Sequence, residues 1–183
     1  SASELRKKSG ARWLMTEEAR KARNQTKMQD LNPAFRSRLS KVITDLEAVG
    51  FRPRIQCAWR SPQEQLEAYK SGHSQLRWGY HNATTPDDAP DSLAVDMLDD
   101  DFPLTQRRQY VLALAFFSES NGLKTGIYFG VPKRMLFSLQ KAIINWQMPD
   151  ETVKLGWDSC HVQMQGLTIK EARKEILSDL EKE

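Results

Sequence analysis

One domain of the α+β class is what this sequence predicts, and three observations predict it. The chain has 183 residues, the size of a single domain on the usual scale of roughly 100–200 residues. Its apolar residues fall into two periods, helical three-and-four steps interleaved with short apolar runs of strand length. The alternation carries no Gly-x-Gly-x-x-Gly or phosphate-loop pattern, so a small antiparallel or mixed sheet with flanking helices fits better than a doubly wound parallel one.

Residues 1–31 are polar and read as an N-terminal helical extension, with one amphipathic helix near 11–24 carrying Trp13, Leu14 and Met15, loosely docked. Residues 32–183 form the main domain. Asn32-Pro33 opens a helix in which Phe35, Leu39, Val42, Ile43, Leu46 and Val49 recur on one face, ending at Gly50. Residues 53–59 read as a strand. Ser61, Pro62 and Glu64 then form a capping box with proline in the first turn, starting a helix to about Lys70. Residues 73–91 are aperiodic and hold two prolines and three aspartates; loops of that length tend to be functional or disordered. Residues 93–98 form a short apolar strand and Leu104–Ser120 a strongly apolar core helix. Strand or hairpin follows at 122–131, helix from Pro132 to about Asn145, strand at 155–165. A second capping box, Thr168 with Glu171, opens a terminal helix to about Leu180.

Composition narrows the function classes. Hydrophobic residues make up 39% and charged ones 28%, an ordinary globular balance. No apolar run approaches the roughly 18 residues of a membrane span. The formal charge of +3 is mild, and the densest basic stretch, Arg6 to Lys27, also carries Glu17 and Glu18; it reads as a solvated helix, not a nucleic-acid surface. The first residues, Ser1-Ala2-Ser3, lack an initiator Met and a secretion-signal pattern, so the chain reads as trimmed of a leader or anchor. Two cysteines, Cys57 and Cys160, are too few for a disulfide scaffold.

The scarce residues carry the chemistry. There are three histidines, His73, His81 and His161. Asp96 interrupts the apolar strand LAVDML, where an unpaired carboxylate costs several kcal/mol. Its partner is a cation: Arg52, Arg54 or Arg60, a helix N-terminus, or a metal. His161 lies in a second strand, three residues after Asp158. Two histidines and acids on two strands are the parts of a catalytic zinc site, which uses three protein ligands and keeps a fourth position open. Trp59, Trp78 and Trp157 read as core or pocket walls, with sugar stacking as the alternative.

Three motifs carry a family resemblance. Ala58-Trp-Arg-Ser-Pro-Gln-Glu-Gln-Leu-Glu-Ala-Tyr69 resembles the YRSxxxQ segment of the M15 zinc peptidases, the group of D-alanyl-D-alanine carboxypeptidases, VanY and phage L-alanyl-D-glutamate endopeptidases. Ser92-Leu-Ala-Val-Asp96 is similar to its GxAxD strand, and Gly156-Trp-Asp-Ser-Cys-His161 to its closing W-[DE]-x-x-H. Residues 121–132 fall loosely on its GLxWGG strand. The resemblance covers roughly residues 33–165 and implies a hedgehog/DD-peptidase-like fold and one zinc per chain. It implies hydrolysis of an amide bond in peptidoglycan stem peptides, in the periplasm, at the cell envelope or outside the cell, a phage lysin included. It also implies that Asp96 and His161 are zinc ligands, that Asp158 is the general base and acid, and that Arg60 binds substrate and stabilises the oxyanion. Gln65 falls on the family's glutamine. The motifs fit carboxypeptidase and endopeptidase bonds alike. A non-catalytic, zinc-containing wall-binding module of the same fold is the alternative.

The chain departs from the family at the first ligand. The family's histidine stands seven residues before the aspartate, where this chain has Ala89; His81 stands fifteen before. A loop insertion between His81 and Ser92 makes His81 the expected third ligand, with His73 its rival. Alternation along regular strands puts both Cys57 and Cys160 on the back of the sheet, away from zinc, either as two buried thiols, the favoured reading, or as a disulfide if their strands are neighbours with Cα atoms within about 7 Å. It also puts Asp158 on the wrong face from His161, unless the chain turns or bulges between Gly156 and Ser159.

Overall fold

The computed structural model describes residues 15–173. Its helices are α1 (Glu17–Met28), α2 (Pro33–Ala48), α3 (Pro62–Lys70), α4 (Arg108–Ser120) and α5 (Leu136–Ile144); its strands are β1 (Pro53–Cys57), β2 (Ala94–Asp99), β3 (Leu123–Gly126) and β4 (Asp158–Met164). The four strands make one antiparallel sheet in the order β1-β2-β4-β3. The class is α+β, as predicted.

Local chemistry sets the helix starts. The Asn32 side chain accepts from Ala34 and Phe35 ahead of Pro33, and Ser61 and Glu64 complete the capping box on α3; each satisfies backbone donors left over at a first turn. The predicted face of α2 is the buried one, from Phe35 to Leu46. Three starts differ from expectation, that of α5 because a 3-10 turn at Lys133–Met135 follows Pro132 before the α-helix opens at Leu136. Helix α4 begins at Arg108, not Leu104, because Gln106 turns its side chain back onto the Asp99 amide, which leaves Leu104 exposed. Helix α1 begins at Glu17, capped by Thr16. Trp13, Leu14 and the end of the predicted terminal helix lie outside the described residues; its Thr168–Glu171 cap is present.

Helix α1 is also firmly seated, not loosely docked. Arg20 is 1% exposed and gives a hydrogen bond of 2.7 Å to the Pro53 carbonyl. Asn24 donates to the same carbonyl and accepts from the Ile55 amide. Arg23 donates to the Ile55 and Gln56 carbonyls. Polar side chains thereby take up the backbone groups that β1 turns away from the sheet.

Helices α2 and α4 cover one face of the sheet. Ile55, Val95, Met97, Leu123 and Val162 meet Leu39, Leu46, Leu112 and Leu114 in a continuous buried core, and Tyr110 reaches the Met97 carbonyl at 2.9 Å. Because side chains alternate along a strand, the residues between these core positions, Asp96 and His161, project from the opposite face. There the fold leaves an open cleft.

Candidate metal centre

Asp96 and His161 are direct cross-strand partners on β2 and β4, so their side chains share a face. His161 Nδ1 lies 3.4 Å from Asp96 Oδ1. His81 arrives from a different segment, a single 3-10 turn at Tyr80–Asn82, and its Nε2 lies 3.6 Å from the same oxygen. The two imidazoles meet edge to face with ring centroids 5.2 Å apart.

The loop that delivers His81 is tied off at its base. The Asp91 amide bonds the Ala83 carbonyl, Thr84 bridges Pro90, and the Leu93 amide bonds the Tyr80 carbonyl. Residues 83–91 thus form a closed excursion, which lets a histidine fifteen positions upstream sit beside Asp96. Asn82, 1% exposed, fixes the turn by accepting from the Gly79 amide and donating to the Arg60 carbonyl. His73 lines the same cleft and bonds Ser71 at 2.7 Å; it stands in neither candidate ligand cluster among the described residues.

Each histidine has its second ring nitrogen committed. His81 Nδ1 lies 2.7 Å from the Ala58 carbonyl, which can only accept, so Nδ1 carries the proton and Nε2 is the nitrogen aimed at Asp96. His161 Nε2 lies 2.9 Å from Gln163 Oε1, and the amide oxygen fixes the opposite tautomer. Metal-binding histidines are oriented by such outer partners. The arginines expected as alternatives for Asp96 are engaged elsewhere: Arg52 with Glu17, Asp100 and Asp101, Arg54 with Asp100, and Arg60 with Gln65.

The electrostatics couple Asp96 to both histidines. Burial opposes ionisation of Asp96, but hydrogen bonds from His161 and His81 outweigh it and hold the carboxyl well below its usual range. Burial likewise disfavours the His81 imidazolium; Asp96 and Cys57 overcome it and raise its pKa to about 10. Asp158 is the reverse case, a half-buried carboxyl pushed upward chiefly by desolvation.

Asp158 reaches the same face because β4 is irregular there. The β3–β4 register breaks between Thr125 and Gly126, and Gly126 pairs with Asp158. Two glycines permit it: a Cβ on Gly126 would stand 2.1 Å from the Asp158 carbonyl oxygen, and one on Gly156 would stand 2.4 Å from that of Ile127. Asp158 Oδ2 consequently lies 4.0 Å from His161 Nδ1, and the proposed wrong-face conflict is resolved by the turn that Gly156 suggested.

Arg60 and Gln65 act as a unit. Arg60 Nη1 donates to Gln65 Oε1 at 3.0 Å. Gln65 is buried and anchored by its own amide to Ser74 Oγ and the Leu76 carbonyl. Both line a cleft of about 1130 Å³ with His81, Asp96, Asp158 and His161. Trp157, 76% exposed, stands at its margin against Phe129. Trp59 donates its indole N–H to the Ala83 carbonyl.

One expectation is overturned. Both cysteines are free thiols and Cys160 packs toward the core, as expected. Cys57, however, does not face the back of the sheet. The β1–β2 register shifts between Ile55 and Cys57, which places Cys57 directly opposite Asp96. The extra residue, Gln56, reverses the alternation. The candidate ligand atoms form two overlapping clusters that share Asp96: Cys57–His81–Asp96 and Asp96–Asp158–His161, each with its atoms within 4.8 Å of one another. Gln163, Asn82 and Cys57 are the site residues that sequence reasoning missed.

No protein-family model matches the chain, and no curated protein does. Among solved structures it is similar to the L-Ala D-Glu endopeptidase ChiX of Serratia marcescens, at 16% identity and a TM-score of 0.47, over 86% of this chain and 94% of that one.

Proposed function

We propose that the chain is a zinc-dependent hydrolase of an amide bond in peptidoglycan stem peptides. One observation carries the metal: two imidazole nitrogens converge on a single oxygen of Asp96, each fixed in the required tautomer by a bond on the far side of its ring. This donor set suits zinc, with His81, Asp96 and His161 as ligands. The substrate class rests on the three sequence motifs and their order.

A zinc ion held there supplies Lewis acidity, polarising the scissile carbonyl and acidifying water. The side chains around it divide the rest of the work. Asp158, raised in pKa by burial, accepts a proton from the attacking water and passes it to the leaving amine. Arg60, held by Gln65, offers its guanidinium to a substrate carbonyl or carboxylate and to the developing oxyanion. The cleft is broad enough for an extended peptide.

Metal analysis of the purified chain, paired with mass spectrometry of digested cell-wall fragments, tests the reading. About one zinc per chain and a defined cleaved stem-peptide bond are expected. A metal-free chain that leaves wall fragments intact after zinc addition would sink it. One zinc with no cleavage would instead identify a wall-binding module.

A further inference from the structure

Cys57 stands where the proposed mechanism has no use for it. A regular β1 would send its thiol to the back of the sheet. The register shift at Gln56 turns it to the face of Asp96, and a bulge beside a site commonly re-aims one side chain at the expense of a ladder position. Here the re-aimed atom is a sulfur whose distances to the facing atoms of both His81 and Asp96 fall within 4.8 Å. Thiolate, imidazole and carboxylate are all donors that zinc accepts.

We infer that Cys57 Sγ is a protein ligand, beside His81 and Asp96, of the metal held in this cleft. This rests on the metal reading above and adds a thiolate to it. On binding, the Sγ–metal bond forms and the thiol proton leaves to solvent. With His161, whose cluster shares Asp96 with this one, the donors would number four, enough to fill a tetrahedral shell. Turnover at such a centre requires Cys57 to detach or the shell to expand to five, so the bulged strand holds the site in a closed resting form. Cys160, packed against the core on the other face of the sheet, takes no part.

Loading the full chain with cobalt(II) tests this without any assay of turnover. One cobalt per chain is expected, with a near-ultraviolet sulfur-to-cobalt charge-transfer band that is lost in Cys57→Ser and kept in Cys160→Ser. Iodoacetamide mapping of the wild-type chain gives a second measure that does not depend on variant folding: metal should slow alkylation of Cys57. Cobalt bound without the band, or Cys57 alkylated equally fast with and without metal, overturns thiolate ligation and leaves the His81–Asp96–His161 reading standing. No cobalt uptake by the wild-type chain overturns both.

Discussion

Asp158 and Gln65 show how differently two polar residues in one cleft can act. Asp158 is half buried and faces His161, so Asp158→Ala should still bind one zinc while turnover falls by about 10²–10⁴-fold, the usual worth of a positioned proton carrier. Full activity in that variant, measured beside its metal content, would exclude the role. Gln65 touches Arg60, not the metal cluster. Gln65→Ala should raise KM, through a guanidinium that wanders, and leave zinc affinity unchanged; steady-state kinetics with a metal titration separate the two. At this scale the sequence was informative wherever a residue was chemically out of place. An acid inside LAVDML and a histidine in a late strand announce a cation or a partner. Cys57 was placed on the wrong face, because its orientation depends on one extra residue, Gln56, that carries no glycine or proline to mark a bulge. Gln163 and Asn82 were equally silent, being ordinary polar side chains whose work is set by distant backbone.

Elements were legible where they carry their own punctuation. The Asn32-Pro33 and Ser61–Glu64 starts fell where the caps required. The start of α4 was misplaced because nothing between Leu104 and Arg107 breaks a helix in the sequence, while the true boundary is set by a Gln106 side-chain bond. Helix α1 carries a pH-dependent tie. Hydrogen bonds from Arg20, and then from Arg52, outweigh partial burial and lower the Glu17 carboxyl to about 2. A depressed carboxylate contributes stability that is complete above its unfolded value near 4.5 and is lost as pH falls toward 2. Glu17 is nearly half exposed, so the effect is small. Thermal melts of Glu17→Gln should therefore lie below wild type at pH 7, and the gap should narrow below pH 4.5 and close only as pH falls to about 2. A gap independent of pH would show that charge is not what Glu17 contributes.

The whole molecule gathers its candidate ligands from β2, β4 and a turn tied to the segment that follows β1, so binding a cation there links folding to metal. A ligand that binds only the folded form adds stability as RT ln(1 + [L]/Kd), about 2.7 kcal/mol at a hundredfold excess over Kd. Zinc should raise the melting temperature and EDTA should return it; calorimetry showing no shift at saturating zinc would argue against a site built from these segments. The order β1-β2-β4-β3 itself had no signature in the chain, because pairing partners lie far apart in sequence. That order leaves β1 at the rim of the sheet, and the guanidinium and amide groups of α1 sit over its outward backbone. Strip that cover away and the rim becomes a template on which another copy can lay a strand. A chain shortened to begin after Met28 should therefore self-associate in a concentration-dependent way, seen by light scattering, and the N-terminal helix would count as the molecule's guard against aggregation.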